Sequence, residues 1–353
     1  QATLFALAIA PYINASIIMQ LLCIAIPALE RMQKEENGQQ KINQITRYVT
    51  VGLGLVMSYG YYSLLAYRFD VLKYKTFFTA VVVILAFTAG SAVVMWLAER
   101  INEKGIGNGI SMILFASILS QGSGIINWLR NAFISKNYVG PILVGIISIG
   151  MIMGIVLVNK AERRIPIQYA KRVVGRKMYG GNSTHLPMKV MMTGVMPIIF
   201  ASSFCMMPQT IATFFASSSS FAVWVEKYFS QDTVAYGIVY FLLIVFFNYF
   251  YVSVSYNPVE IANNLQKNGG SVPGIRPGEP TANYLKKTLN KITLFGALFL
   301  GVIAILPMIA SAIFNLSFTL GGTSILIVVS VIMETAVTIE SQIVMRHYRG
   351  FLE

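Results

Sequence analysis

Few side chains in this sequence are placed to do covalent chemistry. Glu334, within SVIMETAVTIES, is the one clear charge near the middle of a long apolar run. A carboxylate at that depth suits a proton or ion site. It is expected to face protein or water, because a central charge costs ~2.5–3.5 kcal/mol on insertion scales. An ion-coupled transporter ordinarily carries several such groups at the midplane, and here there is one. The two histidines, His185 and His347, have no partner at metal spacing, and no nucleophile stands beside a base. Cys23 and Cys205 each lie inside an apolar run and read as isolated buried thiols. GIGNGI at 105–110 is glycine-rich, but Ile110 stands where G-x-G-x-x-G needs glycine, so the stretch reads as a break between two helices. No G-x-x-x-x-G-K-[ST] occurs either. The reading is of a chain without catalytic residues, cofactor or metal. Any work it performs draws on energy supplied from outside.

The residues that do stand out are cationic. The segment 159–189 holds eight Lys and Arg, in a chain that is 56% hydrophobic and only 12% charged. A soluble domain carries about 25% charged residues, because it must cover its surface. Here apolar runs of about 20 residues recur instead, the length that crosses a bilayer as a helix. Nine such spans are expected, at 2–26, 43–66, 76–98, 109–129, 139–158, 189–216, 235–256, 289–314 and 322–343. Pro11, Gly52, Gly54, Pro197 and Pro208 fall inside them, which spans tolerate where neighbouring helices satisfy the backbone. The fold class is therefore an all-α polytopic membrane protein.

Orientation follows from the basic residues. Segments 27–47, 99–108, 159–189, 257–291 and the tail 344–353 hold 21 of them, whereas the opposite loops 67–75, 130–138, 217–234 and 315–321 hold 6. The positive-inside rule assigns the first set to the cytosol. The chain opens at Gln1 on the edge of an apolar helix, without an initiator Met or a charged leader, so a missing first helix is expected rather than a cleaved signal peptide. One more helix before Gln1 would put both termini in the cytosol.

Five stretches carry a family resemblance: ALAIAPYINASIIMQLL (6–22), MWLAERINEKGIGNGIS (95–111), THLPMKVMMTGVMPIIFASS (184–203), NPVEIANNLQKNGGSVPGIRPGEPT (257–281) and LGGTSILIVVSVIME (320–334). In this order and over this length they closely resemble the SecY family, channel-forming subunits of the bacterial Sec protein translocase. Plastid members resemble the chain in the same way. The match begins at the family's second helix, without its first helix and plug. The resemblance implies a ten-helix clamshell, nine of whose transmembrane helices are present here, as two pseudo-symmetric halves (1–138 and 139–353) around a central pore. It implies passage of unfolded polypeptides through that pore. A lateral gate between 2–26 and 189–216 would release membrane segments into lipid.

Carried over residue by residue, the resemblance implies a pore ring of Ile9, Ile13, Ile110, Leu114, Ile199 and Ile327. Ile9 and Ile13 are four apart, as are Ile110 and Leu114, so each pair shares a helix face. An apolar constriction of this kind resists ions by dewetting. Leu114 stands where the family commonly has Ile, and the exchange keeps the seal apolar. Asn14, Ser202, Ser203 and Thr210 are the implied polar latch of the lateral gate, although Ser and Thr in a helix equally bond back to their own carbonyls.

The basic segments 159–189 and 257–291 are implied docking surfaces for the ribosome, including its RNA, and for the motor ATPase SecA. Lys171, Arg172, Arg176 and Lys177 would meet RNA phosphates or acidic side chains of the motor. In SVPGIRPGEPT (271–281) Pro and Gly fix a turn that presents Arg276, with Glu279 nearby. Arg276 matches an arginine that the family needs for motor-driven translocation. Tyr348 matches a tyrosine with a similar role, and Arg349 stands where an acidic residue is common. SecE and SecG are the implied membrane partners, with a signal sequence and nascent polypeptide as the passing clients. Anionic lipids are attracted by about 1 kcal/mol per basic residue near the surface. The location implied is the bacterial cell membrane, multi-pass, with long loops and C-terminus in the cytosol. A secondary transporter for a small solute and a non-transporting membrane scaffold remain the alternatives.

Overall fold

The computed structural model describes residues 3–33, 35, 37–68, 74, 76–134, 138–169, 172–174, 177–179, 183–212, 219–230, 233–314 and 322–349. The chain begins with helices α1 (Ala10–Ala25), α2 (Pro27–Gln33), α3 (Gly38–Ser63, continued by a π-helical turn, Leu64–Arg68), α4 (Phe77–Lys104), α5 (Gly109–Ser120), α6 (Gly122–Ile134) and α7 (Val139–Lys160). Four strands follow, β1 (Glu162–Tyr169), β2 (Arg172–Val174), β3 (Lys177–Tyr179) and β4 (Ser183–Lys189). The remainder is α8 (Met196–Ala212), α9 (Ser220–Tyr228), α10 (Val234–Ser255), α11 (Pro258–Lys267), β5 (Gly270–Ser271), α12 (Glu279–Phe314) and α13 (Gly322–Arg349).

Among the described residues, six helical stretches are long and apolar enough to cross a membrane: Gly38–Ala66, Phe77–Lys104, Gly140–Lys160, Val234–Lys267, Glu279–Ser311 and Thr323–Val344. Six of the expected spans fall in them. The other three differ, each for a local reason. The span expected at 2–26 starts as a helix only at Ala10, with Pro11 in the first turn, where a missing N–H loses nothing. It bends by 106° into α2 because Ile26 precedes Pro27, which keeps Ile26 extended (ψ 111). The stretch 109–129 divides into α5 and α6 beside Gln121. In the stretch 189–216 the helix α8 begins only at Met196, because 192–195 form turns with Gly194 at φ 58, and Pro197 again opens the helix; 213–216 lie outside the described residues.

Packing divides the chain into two compact units, Gln1–Trp128 with Ile199–Val239 and Val331–Glu353, and Leu129–Ile198 with Tyr240–Ser330. In the first unit α3 places Thr46, Thr50, Gly54 and Ser58 on one buried face, a small residue every four. Lipid removes the hydrophobic drive between helices, so small residues that admit a close neighbour take over. A Cβ on Gly54 would sit 3.3 Å from both Ser91 and Thr88 of α4, and the Ser58 and Thr88 hydroxyls bond at 3.0 Å. Arg47 Nε donates to Glu99 Oε1 at 2.8 Å, joining α3 to α4 where both turn polar. Met19, Cys23 and Ile42 form a small core that packs α1 on α3.

GIGNGI turns α4 into α5, as its sequence suggests. Asn108 Oδ1 accepts from the backbone of Ile110 (3.0 Å) and Ser111 (3.4 Å), and Asn102 Oδ1 accepts from Gly109 N at 2.7 Å. Two asparagines thereby satisfy the open end of α5. Gly109 has no room for a side chain: a Cβ would lie 2.0 Å from the Ala98 carbonyl oxygen.

In the second unit the basic segment is folded. β1 and β4 pair antiparallel from Glu162↔Lys189 to Gln168↔Ser183, and β5 adds to β1 through Gln168↔Ser271 and Tyr169↔Gly270. Strand β1 alternates, with Ile165 and Ile167 buried between exposed Arg164, Pro166 and Gln168. Beneath them Ile165 and Met188 share one core with Val252, Ala262, Val272, Ala282, Leu285 and Leu289. The base of the first basic segment, strands β1 and β4, and the second basic segment thus share one core rather than forming independent loops. Nearby, Thr193 Oγ1 donates to Asn248 Oδ1 at 3.0 Å, a buried pair that fixes the approach to α8.

Two predictions follow from this packing. Gly109→Ala forces the α4–α5 junction apart and is expected to lower stability by about 1–3 kcal/mol. Gly52→Ala meets nothing within 4 Å and should be neutral or stabilising by up to about 1 kcal/mol; thermal unfolding of the two purified variants in detergent compares them. Ile165→Ala removes a side chain only 1% exposed, at an expected cost of about 2–5 kcal/mol. Because the core is shared, trypsin should then cut faster after Lys267, about 100 residues away in sequence. Unchanged cleavage there would mean that the segments fold separately.

Candidate functional site

The ring positions are reached through two helix starts. Ile9 caps the N-terminus of α1, its carbonyl accepting from Tyr12 and Ile13 at 3.1 Å each, and its side chain is only 2% exposed. Ile13 is buried one turn further on. Ile110 and Leu114 follow the Asn108 cap on α5 and are half-buried, so the helical phase inferred from their spacing is the observed one. Ile199, in the first turns of α8, is buried. These five belong to the first unit; Ile327, buried on α13, belongs to the second.

The polar gate candidates divide by their partners. Ser202 Oγ donates to the Ile199 carbonyl at 2.8 Å and Thr210 Oγ1 to that of Met206 at 3.0 Å, the back-bonded form open to both from the sequence. Asn14 Nδ2 lies 3.9 Å from Met57 Sδ on α3, a soft contact within the first unit. Ser203 is half-buried. On α8, Gln209 also donates to the Phe229 carbonyl.

Of the docking candidates, Lys171 and Arg176 lie outside the described residues. Arg172 and Lys177 occupy β2 and β3, in register with Tyr179 and Val174 respectively. Arg276 is exposed in a turn whose shape is set by Gly274 (φ 79) and Gly278 (φ 98). The Val272 carbonyl accepts from Ile275 N at 3.0 Å, and Thr281 Oγ1 donates to the Arg276 carbonyl at 2.8 Å. The backbone on both sides of the guanidinium is therefore held while its head stays free of any ion pair among the described residues. Glu279 opens α12, where a carboxylate suits the N-terminal end of the helix dipole. Tyr348 falls in the last turn of α13, with its side chain outside the described set.

Glu334 is exposed on α13, and its carbonyl accepts from Thr338. Cys23 and Cys205 are free and buried, as the sequence suggests. The shared core of the basic segments is a feature that the sequence reading misses. The alternation of ERRIPIQY would have pointed to β1, but nothing local announces the partner segment. Similarly, the four-residue repeat of small side chains from Thr46 to Ser58 marks the packed face of α3.

A profile of the SecY family matches residues 3–336. The protein translocase subunit SecY of Streptomyces coelicolor is 45% identical over 100% of this chain and 84% of its own length. That of Mycobacterium tuberculosis is 42% identical over 99% of this chain and 83% of its own. Among solved structures, a SecY whose plug domain stabilises the closed state of the translocation channel superposes with a TM-score of 0.68 at 21% identity, covering 95% of this chain and 82% of that one. Sec61 in the canine ribosome-channel complex of the endoplasmic reticulum gives 0.64 at 19%, over 95% of this chain and 81% of that one. The helical architecture, the profile across nearly all of the sequence and the identity to full-length relatives agree: this chain belongs to the SecY family.

Proposed function

We propose that the chain is the channel subunit that carries unfolded secretory polypeptides across a membrane and releases transmembrane segments sideways into lipid. The observation that carries this reading is 45% identity, over the whole chain, to a protein translocase subunit. The relatives give no support to a solute transporter, and a single exposed carboxylate, Glu334, supplies no coupled-ion site to argue for one.

On this reading the chain is a conduit and not an enzyme. Ile9, Ile13, Ile110, Leu114, Ile199 and Ile327 form an apolar constriction that excludes ions by dewetting while branched side chains yield to a passing chain. Asn14, Ser202, Ser203 and Thr210 line the lateral gate. The pseudo-symmetric halves 1–138 and 139–353 clasp this path. The push comes from outside, from the motor ATPase SecA or from a ribosome, and SecE and SecG complete the membrane complex. A Sec61 relative of the same fold occurs in a ribosome-channel complex, which supports ribosome docking here. Arg276 and the cations of 171–177 meet those partners, with Glu279 and Tyr348 beside them. The chain lies in the bacterial cell membrane with its basic segments in the cytosol, an orientation supported by their charge.

The test is reconstitution of the full-length protein with SecE, SecG and SecA, following ATP-dependent protection of a preprotein from protease. Protection is expected, and Arg276→Glu should reduce it more than about tenfold, since reversing one partner of a desolvated charge contact costs about 2–5 kcal/mol. Intact assembly without protection would defeat the reading. For the constriction, replacing Ile13 and Ile199 together by Asn should admit water and raise single-channel ion conductance of the resting complex. Conductance equal to that of the parent would remove these residues from the seal.

A further inference from the structure

The second unit contains a cavity that none of the roles above uses. It measures about 430 Å³ and is lined by Arg163, Tyr284, Lys287, Thr288, Lys291 and Ile292. Five of the six lie on α12 at spacings of three and four residues, so they form one helix face. Arg163 comes from β1, three residues beyond the end of α7. Three cations from two elements therefore line the cavity together with Tyr284 and Thr288. None of the three is ion-paired among the described residues, although neighbouring Arg164 is held by Glu162 at 2.6 Å.

The depth of this cavity follows from the sequence. From Ile292 to Phe314 α12 carries no charge, a length of about 34 Å at 1.5 Å per residue, which matches the ~30 Å hydrocarbon core. Lys291 is the last charge before that run, and Lys160 ends the apolar run of α7. Both helices thus bring the cavity to the hydrocarbon–water boundary, with Ile292 on the lipid side and the cations on the water side. Tyr284 has the amphipathic ring favoured at that level.

We propose that this cavity binds a phosphate group, that of an anionic phospholipid headgroup or a free phosphate ion, between Arg163, Lys287 and Lys291. The inference requires only that α7 and α12 cross a bilayer, so it stands or falls separately from polypeptide transport. Each cation within reach of a phosphate is worth about fivefold in affinity.

The test is native mass spectrometry of the full-length protein in detergent, titrated with phosphatidylglycerol, phosphatidylcholine and inorganic phosphate. Phosphatidylglycerol should bind saturably and phosphatidylcholine should not. Lys287→Gln with Lys291→Gln should weaken binding about 25-fold, and Arg163→Gln alone, on the other element, about fivefold. Lys287→Arg with Lys291→Arg should preserve it. Lys267→Gln with Lys286→Gln removes the same charge away from the cavity and should change affinity less than about twofold. Displacement of the lipid by millimolar inorganic phosphate would assign the free ion, and no displacement would assign the headgroup. Equal weakening in both glutamine pairs would overturn the site in favour of diffuse attraction. Unchanged lipid affinity together with weakened ribosome binding would overturn it in favour of ribosomal RNA.

Discussion

Inside a bilayer no water is available to an unpaired backbone N–H or C=O, and each one left open costs several kcal/mol. The chain meets this constraint by crossing lipid as regular helix and by closing some irregular joints with a specific partner. Asn102 and Asn108 supply oxygens to the start of α5, and Asn257 does the same for α11, accepting from Val259 and Glu260. Pro11, Pro197 and Pro258 each sit in the first turn of a helix, where their missing N–H leaves no donor unmet. Among the described residues the strands, whose edges lipid does not tolerate, all lie in the two basic segments, as the sheet β4-β1-β5 and the separate pair β2-β3.

The same solvent removes the hydrophobic attraction between helices, so proximity has to come from shape. Gly54 admits Thr88 and Ser91, Gly90 admits the Leu4 carbonyl, and Gly296 admits the Val190 carbonyl, in each case where a side chain would crowd its neighbour. Beyond the bilayer water restores the hydrophobic drive to apolar burial. The core of Ile165, Met188, Leu285 and Leu289 is of the kind found in soluble domains, and it lets two cationic segments be held rigidly instead of spreading over the surface. Charge makes these segments attractive to anions in general, and the core supplies their shape.

How much was legible in the sequence follows from which physics is local. Apolar length is local, and the spans at 43–66, 76–98, 139–158, 235–256, 289–314 and 322–343 stand where their composition puts them. Proline acts one residue upstream, which explains the late start of α1 and the bend at Ile26. The hairpin escapes an apolar window because half of the residues in ERRIPIQY point to water. Its union with the helix α12 joins residues more than 100 positions apart, and no local pattern encodes that. The proposed ring and gate residues rest on family resemblance alone, because isoleucine in an apolar helix has no distinguishing neighbourhood of its own. Their burial, from Ile9 at 2% to the half-exposed Ile110, is a property of the fold.

A conduit that must open sideways cannot be locked by strong bonds. Ser202 and Thr210 turn their hydroxyls onto carbonyls of their own helix, and among the described residues Asn14 meets a thioether at 3.9 Å. Interhelical hydrogen bonds in membranes average about 0.6 kcal/mol even when formed, so hydroxyls arranged in this way add little resistance to separation of the proposed gate helices. Closure then rests on apolar packing, which any sufficiently apolar passing segment can replace at nearly equal free energy. Selection of clients by hydrophobicity follows from that equality, and directional transport cannot, because an exchange of like contacts has no preferred direction. The direction has to be imposed from outside the conduit. The proposed docking role of Arg276 suits that requirement: the backbone on both sides of it is held, its guanidinium carries no ion pair among the described residues, and the neighbouring strands and helices share a packed core.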